Sequence, residues 1–426
     1  MKALLRRITN VANDRVTRVL FYDQTLKKGY ASLASFPKLF ILRRALITLI
    51  AYPLSLVCWV ILVILNIFMP VRMYRFKSPS RPGYASHHIE QLEPLCRELQ
   101  HSGHKGVSIF IHASATTNLD LLKLYATHFN LYLDDRIAFL RTIFTLIPKF
   151  GFSNTFLNYS YYDQAWLLPP AKKLETKKQY ELPKVISELN LEPFKFVVLT
   201  HRSASYDAKY HLKSSSELNR NTDIGNAEIA INLILKKGLK IIRIGVDTDE
   251  LPDSLKKLPI IDLSGKFRTD EQDLWLAEHC LFLWCINDNG TWHLAHKFNR
   301  PTLVTNTYAL IRGYQHSFFT FQLIWDEQKN RLLSLSEMTN LRGIAGRSSA
   351  MKKCGLSFVE NSPSDLESSV SEMLNYVDNK IDYSDHDQLL HSLFGGVLLT
   401  AGYRPISNGH SLPCLSFLQK YEEVLF

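Results

Sequence analysis

The chain of 426 residues lacks the short signatures of several large enzyme classes. It contains no GxSxG, no Walker A sequence and no GxGxxG, so nucleophile-elbow hydrolases, P-loop nucleoside triphosphatases and common dinucleotide-binding enzymes lose their usual mark. Its six cysteines (Cys58, Cys96, Cys280, Cys285, Cys354 and Cys414) are scattered without a CxxC pair. Neither a disulfide framework nor a zinc ribbon is expected, and Cys280 and Cys285, within an apolar run, read as small packing residues. Acidic residues are nearly missing from the first 81 positions, where Asp14 and Asp23 stand against 14 Lys and Arg. The remainder holds 36 basic and 38 acidic side chains, so the net charge of +10 is concentrated around one hydrophobic segment. That placement points to an anionic lipid surface. With no basic helix, aromatic platform or zinc pattern, a nucleic-acid partner is not expected.

The hydrophobic segment, ALITLIAYPLSLVCWVILVILNIFMPV at 45–71, runs for 27 residues without a charge. As a helix it would measure about 40 Å, enough to cross a bilayer. A signal peptide is a poor reading, because the run starts 44 residues in, is too long for an h-region and lacks a small-x-small cleavage site. Lys38, Arg43 and Arg44 precede it, and Arg72, Arg75, Lys77 and Arg81 follow. The positive-inside rule assigns both flanks to the cytoplasm. A re-entrant hairpin bent at Pro53 satisfies both flanks, whereas a single span exposes one of them on the far side.

The chain divides, on composition and pattern, into a basic segment 1–44, the membrane segment 45–71, a linker 72–84 with the Pro/Ser/Gly stretch SPSRPG, a domain 85–190, a second domain 191–384, and a helical segment 385–426. In the first domain GVSIFIH reads as a strand, TNLDLLKLYATHF as a helix with Leu119, Leu122, Ala126 and Phe129 on one face, and LYL as the next strand. The second domain alternates strand and helix more clearly: FKFVVLTH, AEIAINLILKKG stopped by Gly238, LKIIRIG, PIIDLS, DEQDLWLAEH, CLFLWCI, then TLVTN. This is a Rossmann-like pattern, in which ligands gather beyond the carboxyl ends of the strands. His201, Arg202, Gly245 and the turn 287–291 are expected at that edge.

Gly290, in NDNGTWHLAHKFNRP, lies between the end of LFLWCI and a helix expected near Thr291. A glycine there lets the backbone approach a ligand, and a helix start offers N–H groups to an anion. Arg202 in THRSASY and Arg220 in NRNTD would complete a diphosphate cradle through charge-assisted bonds. Asp247 and Asp249 form a short acidic pair of the kind that holds Mg²⁺ or Mn²⁺ on a nucleotide diphosphate. His293 and His296 are one helical turn apart, but no third zinc ligand accompanies them.

At these blocks a family resemblance appears. THRSASY, LNRNTDIGNAEIAINLILKKGLKIIRIG, IDLSGKF with Asp273, and LFLWCINDNGTWHLAHKFNRPTLVTN resemble the successive motifs of a bacterial surface-polysaccharide glycosyltransferase family with a GT-B-like fold. The resemblance covers residues 195–310 well and 106–125 weakly. Carried over, Arg202, Arg220, Asn221, Arg243, Gly245, Asp273 and Gly290 occupy the family's characteristic positions, with Asn289 and Thr291 completing the nucleotide-sugar site. Ser203 stands where the family has an acid, and Asn289 where it has a serine before the glycine.

The resemblance implies an α/β protein of two Rossmann-like domains facing a cleft, GT-B-like, with a membrane-associated helix or hairpin. It implies transfer of a sugar from a nucleotide-diphosphate donor to a lipid-linked or lipopolysaccharide acceptor, on the cytoplasmic side of the cytoplasmic membrane. No cofactor and no metal are expected. The arginines would neutralise the leaving diphosphate, and His112 or Asp120 of the first domain would deprotonate the acceptor hydroxyl. The segment 385–426 would be the helix that crosses back to the first domain. Two alternatives stand beside this reading: a non-catalytic membrane-anchored glycan-binding scaffold, and a metal-dependent GT-A-type transferase using Asp247 and Asp249.

Overall fold

The computed structural model describes residues 38–69, 71–75, 85–101, 107–112, 125, 131–134, 143, 154–156, 184–202, 221–245, 249–265, 268–287, 289–308, 310, 316–341, 344, 348–403 and 411–426. The chain forms two compact units, Met1–Ala165 and Trp166–Phe426. The sequence pattern sets the boundary at 190/191; the contacts set it earlier. The helix Lys184–Glu188 explains the shift, because Ile186 is 1% exposed and belongs to the core of the second unit.

In the first unit a helix of 31 residues, Lys38–Phe68, carries Pro53 inside it. The hairpin bend expected at Pro53 is therefore absent, and the helix is continuous. The physical reason is local: a proline deletes one backbone donor and leaves the flanking bonds of so long a helix in place. Two positions one turn apart on one face are buried, Ala51 and Ser55, both at 0% exposure, and Ser55 Oγ donates to the Ala51 carbonyl at 2.6 Å. Residues Leu49–Phe68 are long and apolar enough to cross a bilayer, by length and composition.

Three residues after that helix the chain is already in a sheet. Strand β1, Val71–Arg75, pairs in parallel with β2, Val107–His112, and with β4, Asn154–Phe156. Strand β3, Leu131–Asp134, joins β2, also in parallel, so the order is β3-β2-β1-β4. The expected linker 72–84 thus begins with a central strand. The helix Ala85–His101 connects β1 to β2 and buries Glu93, whose carboxylate accepts from Arg97 Nε at 2.9 Å and from Tyr125 Oη at 3.1 Å.

The second unit is built on seven parallel strands in the order β14-β10-β9-β8-β5-β6-β7. They are β5 Phe196–His201, β6 Lys240–Ile244, β7 Ile260–Asp262, β8 Leu283–Ile286, β9 Thr302–Thr307, β10 Ser317–Phe321 and β14 Leu412–Pro413. Every residue of β5, β8, β9 and β10 is buried, as a parallel sheet covered on both faces requires. A small antiparallel sheet, β12-β11-β13, flanks it: β11 Leu323–Asp326, β12 Arg331–Leu332 and β13 Leu356–Val359.

The helices start where their side chains cap the backbone. Thr269 and Gln272 close a reciprocal capping box on Asp270–His279, and Ser362 with Asp365 does the same for Pro363–Val377. Gly238, at φ +75°, ends the helix Glu228–Lys236 in the left-handed conformation that a side chain resists.

The segment 385–426, expected to cross back to the first domain, belongs to the second unit. Its strand β14 extends the seven-stranded sheet, and Phe417, fully buried, meets Phe321 edge-on at 4.9 Å. Glu372 fastens the following helix by accepting from the backbone N–H groups of Leu415 (2.8 Å) and Ser416 (3.0 Å). Phe417→Ala is expected to destabilise the second unit by about 3–5 kcal/mol in denaturant titration. A loss below 1 kcal/mol, on the order of a surface change, would refute a core role for this segment.

Candidate active site

The strand order locates the edge where a ligand can bind. From β5 the chain moves outward to β6 and β7, then returns to the other side of β5 as β8 and moves outward again through β9 and β10. The pair β5/β8 is therefore the topological switch point, where connections leave in opposite directions and open a crevice beyond the carboxyl ends.

Asn287 builds this crevice. It follows β8, is fully buried, and adopts φ +80°, a left-handed conformation that asparagine tolerates better than most side chains. Its Oδ1 accepts from the Arg202 N–H at 3.3 Å, and its Nδ2 donates to the Arg202 carbonyl at 3.1 Å and to Thr222 Oγ1 at 3.4 Å. Its own N–H donates to the Thr305 carbonyl on β9 at 2.7 Å. One residue thus ties β5, β8, β9 and the 221–223 loop together.

Beside it, His201 ends β5 at 6% exposure, with Nε2 at 2.8 Å from the Thr222 carbonyl. A carbonyl only accepts, so that nitrogen carries the proton and Nδ1 keeps its lone pair, which has no partner. Burial lowers the His201 pKa, and the nearby Arg243 acts in the same direction, so the ring is neutral at pH 7.

The NDNG turn departs from expectation in detail. The positive φ of this turn falls on Asn287 and not on Gly290. The helix that follows, Trp292–Lys297, has six residues, all of them buried, so its dipole is that of a short turn. Asn289 Oδ1 accepts from the Thr291 N–H at 3.0 Å, and its Nδ2 is buried without a partner. His296 Nε2 lies 3.2 Å from both Thr302 Oγ1 and Ser317 Oγ. His293 stacks on Trp292 with ring centroids 3.7 Å apart. Among the described residues no cluster of three metal-ligating side chains occurs.

The expected site residues fall into three groups. Arg202, 5% exposed, the half-buried Asn221 and the Asn289–Gly290–Thr291 turn lie on segments joined at the switch point, where Asn287 binds the Arg202 backbone and Thr222, and Thr200 Oγ1 donates to Asn289 Oδ1 at 3.5 Å. Gly245, buried at φ +155°, ends the neighbouring strand β6 and gives its carbonyl to Gly265.

The second group is engaged internally. Arg243, 1% exposed, pairs with Asp262 at 2.7 Å and donates from Nη2 to the Asp249 carbonyl at 2.6 Å, so it holds the ends of β6 and β7 together. Asp273 lies at 2.6 Å from Arg268 Nε; burial outweighs that cation and raises its carboxyl to about 6. The third group lies elsewhere. His112 ends β2 in the first unit, in register with Asp134, while Asp120, Arg220, Ser203 and Asp247 lie outside the described residues. Sequence reasoning placed the turn 287–291 at this edge but missed the clamping role of Asn287 and passed over Thr222; an asparagine directly after a buried strand, where a left-handed residue can turn the chain, was the signal for the first.

No protein-family profile matches the chain, and no curated protein matches it. Among solved structures it is similar to the bacterial iron-containing dodecameric glycosyltransferase TibC from enterotoxigenic E. coli H10407, with 12% identity and a TM-score of 0.32 over 56% of this chain and 58% of that one. Dodecameric iron-containing heptosyltransferase TibC in complex with ADP-D-beta-D-heptose aligns at 12% identity and TM-score 0.30, over 56% and 59%. E. coli heptosyltransferase WaaC with ADP aligns at 10% identity and TM-score 0.27, over 59% and 90%. The chain spans little more than half the length of TibC.

Two measurements test this geometry. Asn287→Ala forfeits the clamp and forces a Cβ-bearing residue into φ +80°, for an expected loss of about 2–4 kcal/mol. Asn287→Gly forfeits the clamp alone, so it should be milder by about 1 kcal/mol; equal losses would show that φ carries no cost there. The buried Asp273 carboxyl binds its proton more tightly folded than unfolded. Its contribution to stability is complete below about pH 4 and is lost as pH rises through about 6. Asp273→Asn should remove that slope from a pH series of unfolding free energies, and an unchanged slope would assign it to another group.

Proposed function

We propose that the protein is a membrane-associated glycosyltransferase that moves a sugar from a nucleotide-diphosphate donor to a lipid-linked or lipopolysaccharide acceptor. The observation that supports this reading is the switch point itself: at the carboxyl edge of a parallel sheet Asn287 ties the Arg202 backbone to the chain that turns through Asn289 and Thr291. Arg202 and Arg220 neutralise the departing diphosphate, aided by the Gly290–Thr291 backbone. Asn221 and Gly245 shape the donor site. Arg243 positions it by holding β6 to β7, and Asp273 acts only through the Arg268 pair. The first unit takes the acceptor, with His112 or Asp120 as the base, and residues 45–71 with their basic flanks hold the enzyme to the cytoplasmic face of the membrane.

One observation favours the non-catalytic reading as a second candidate. Asn289 Oδ1 already occupies the Thr291 N–H that an anion would use. A ligand must displace that side chain.

The test is thermal unfolding of the full chain in detergent against a panel of nucleotide sugars and free nucleotides, beside Arg202→Ala. One nucleotide class should stabilise the wild type, and the variant should bind it about ten- to a hundredfold more weakly, as the loss of one charge-assisted contact predicts. Transfer should vanish in Arg202→Ala and Arg220→Ala while both remain folded. Full turnover by either variant removes the cradle; glycan binding without nucleotide response selects the scaffold.

A further inference from the structure

We propose that the first unit stands on an anionic lipid surface with the amino edge of its sheet towards the lipid and its carboxyl edge turned outward. Its acceptor is accordingly a lipid carrying a glycan several sugars long. The inference rests on the transferase reading above and specifies its acceptor.

The apolar helix and the sheet are joined by a two-residue link closed by a hydrogen bond, so the amino end of β1 stays beside the helix end. The helix ends at Phe68, β1 starts at Val71, and the Val71 N–H donates to Asn66 Oδ1 at 2.8 Å across that joint. The strand does not fold back over the helix, since Ile67 and Phe68 are 74% and 80% exposed. Leu49, at 72%, is equally bare near the other end of the apolar stretch. Apolar surface left mostly uncovered over 20 residues, with Ala51 and Ser55 the buried exceptions, calls for a bilayer as its solvent. Arg72, beside the exit, and Lys38, Arg43 and Arg44 at the other end of the run supply the attraction to anionic headgroups, whereas Arg75, level with Ile111, stands towards the carboxyl edge.

From that anchor the polarity of the sheet is determined. All four strands are parallel, so every amino end lies on the side of the helix exit and every carboxyl end on the opposite side. Val71 is in register with Val107, and His112 lies five residue steps along β2, about 17 Å further from the exit. In a parallel sheet ligands bind at the carboxyl edge. A hydroxyl on a single sugar at the headgroup stays at the wrong edge; a longer glycan reaches the right one.

Depth in the vesicle tests the orientation. The full chain with Cys58→Ser and Cys354→Ser keeps only buried cysteines, and receives one fluorophore at Asn154→Cys, Leu131→Cys or Asp134→Cys. Asn154 and Leu131 are both level with Met73 and Ile109, whereas Asp134 is level with His112. In phosphatidylcholine–phosphatidylglycerol vesicles with headgroup spin labels, the first two should be quenched alike and severalfold more than the third. Equal quenching at all three, or the reverse order, overturns the proposal, and two labels at one level guard against a variant that fails to fold. Transfer is then compared between a lipid bearing one sugar and lipids bearing longer chains. Transfer to the longer chains alone supports the acceptor class; equal use of the single sugar overturns it. No transfer to any lipid glycan removes the transferase reading and the acceptor class with it, while the quenching order still decides the orientation.

Discussion

The second unit depends on a side chain that imitates a peptide group. The β5/β8 ladder ends with His201 opposite Ile286, and the Asn287 amide adds one further rung by taking the Arg202 N–H and giving a proton to the Arg202 carbonyl. Because Asn287 is fully buried, those bonds face no competition from water, and removing them would leave peptide groups of Arg202 unsatisfied inside the protein. The left-handed backbone at the same residue sends the chain away from the ladder towards Asn289 and Thr291. Strand termination, placement of Arg202 and the start of the next turn are therefore one event. Thr305 accepting from the Asn287 N–H extends the same control to β9.

Much of the second unit was legible because its signals are local. Helix Asp270–His279 coincides with DEQDLWLAEH, since Thr269 and Gln272 define its start within four residues. Strands β5, β6, β8 and β9 coincide with apolar runs of the length that a covered parallel strand requires. What escaped was decided at long range. VRMYR reads as a basic membrane flank; its identity as a central strand comes from partners 36 and about 80 positions later, at Val107 and Asn154. Arg243 enters the site through the family resemblance alone, and only Asp262, 19 residues on, reveals it as an internal brace. The glycine of NDNG drew attention to conformational freedom that the backbone uses at Asn287.

The long apolar helix illustrates the same division. Its existence is written in composition, and its continuity through Pro53 is not, because a proline's effect on a helix depends on how many bonds flank it. The consequence reaches beyond topology. A hairpin would leave the first unit loosely tethered, whereas one continuous helix running within three residues into β1 couples the position of the sheet to that of the helix.

The remaining unsatisfied groups connect structure to use. His201 Nδ1, Arg243 Nε, Asn289 Nδ2 and Gln322 Oε1 are buried without partners, and they belong to the ends of β5, β6, β8 and β10. Each such group costs about 1–3 kcal/mol when it stays unpaired, so a fold with net stability of about 5–15 kcal/mol carries few of them without return. Arg300 Nε and Ser411 Oγ, just before the amino ends of β9 and β14, are unpartnered as well, so the groups at the β5/β8 switch point are the ones a ligand in that crevice can complete. At the switch point an acceptor and a donor occur together: a lone pair at His201 and an N–H group at Asn289. A partner that bears only negative charge satisfies the donor and leaves His201 unmet; one that combines phosphate with hydroxyl groups satisfies both.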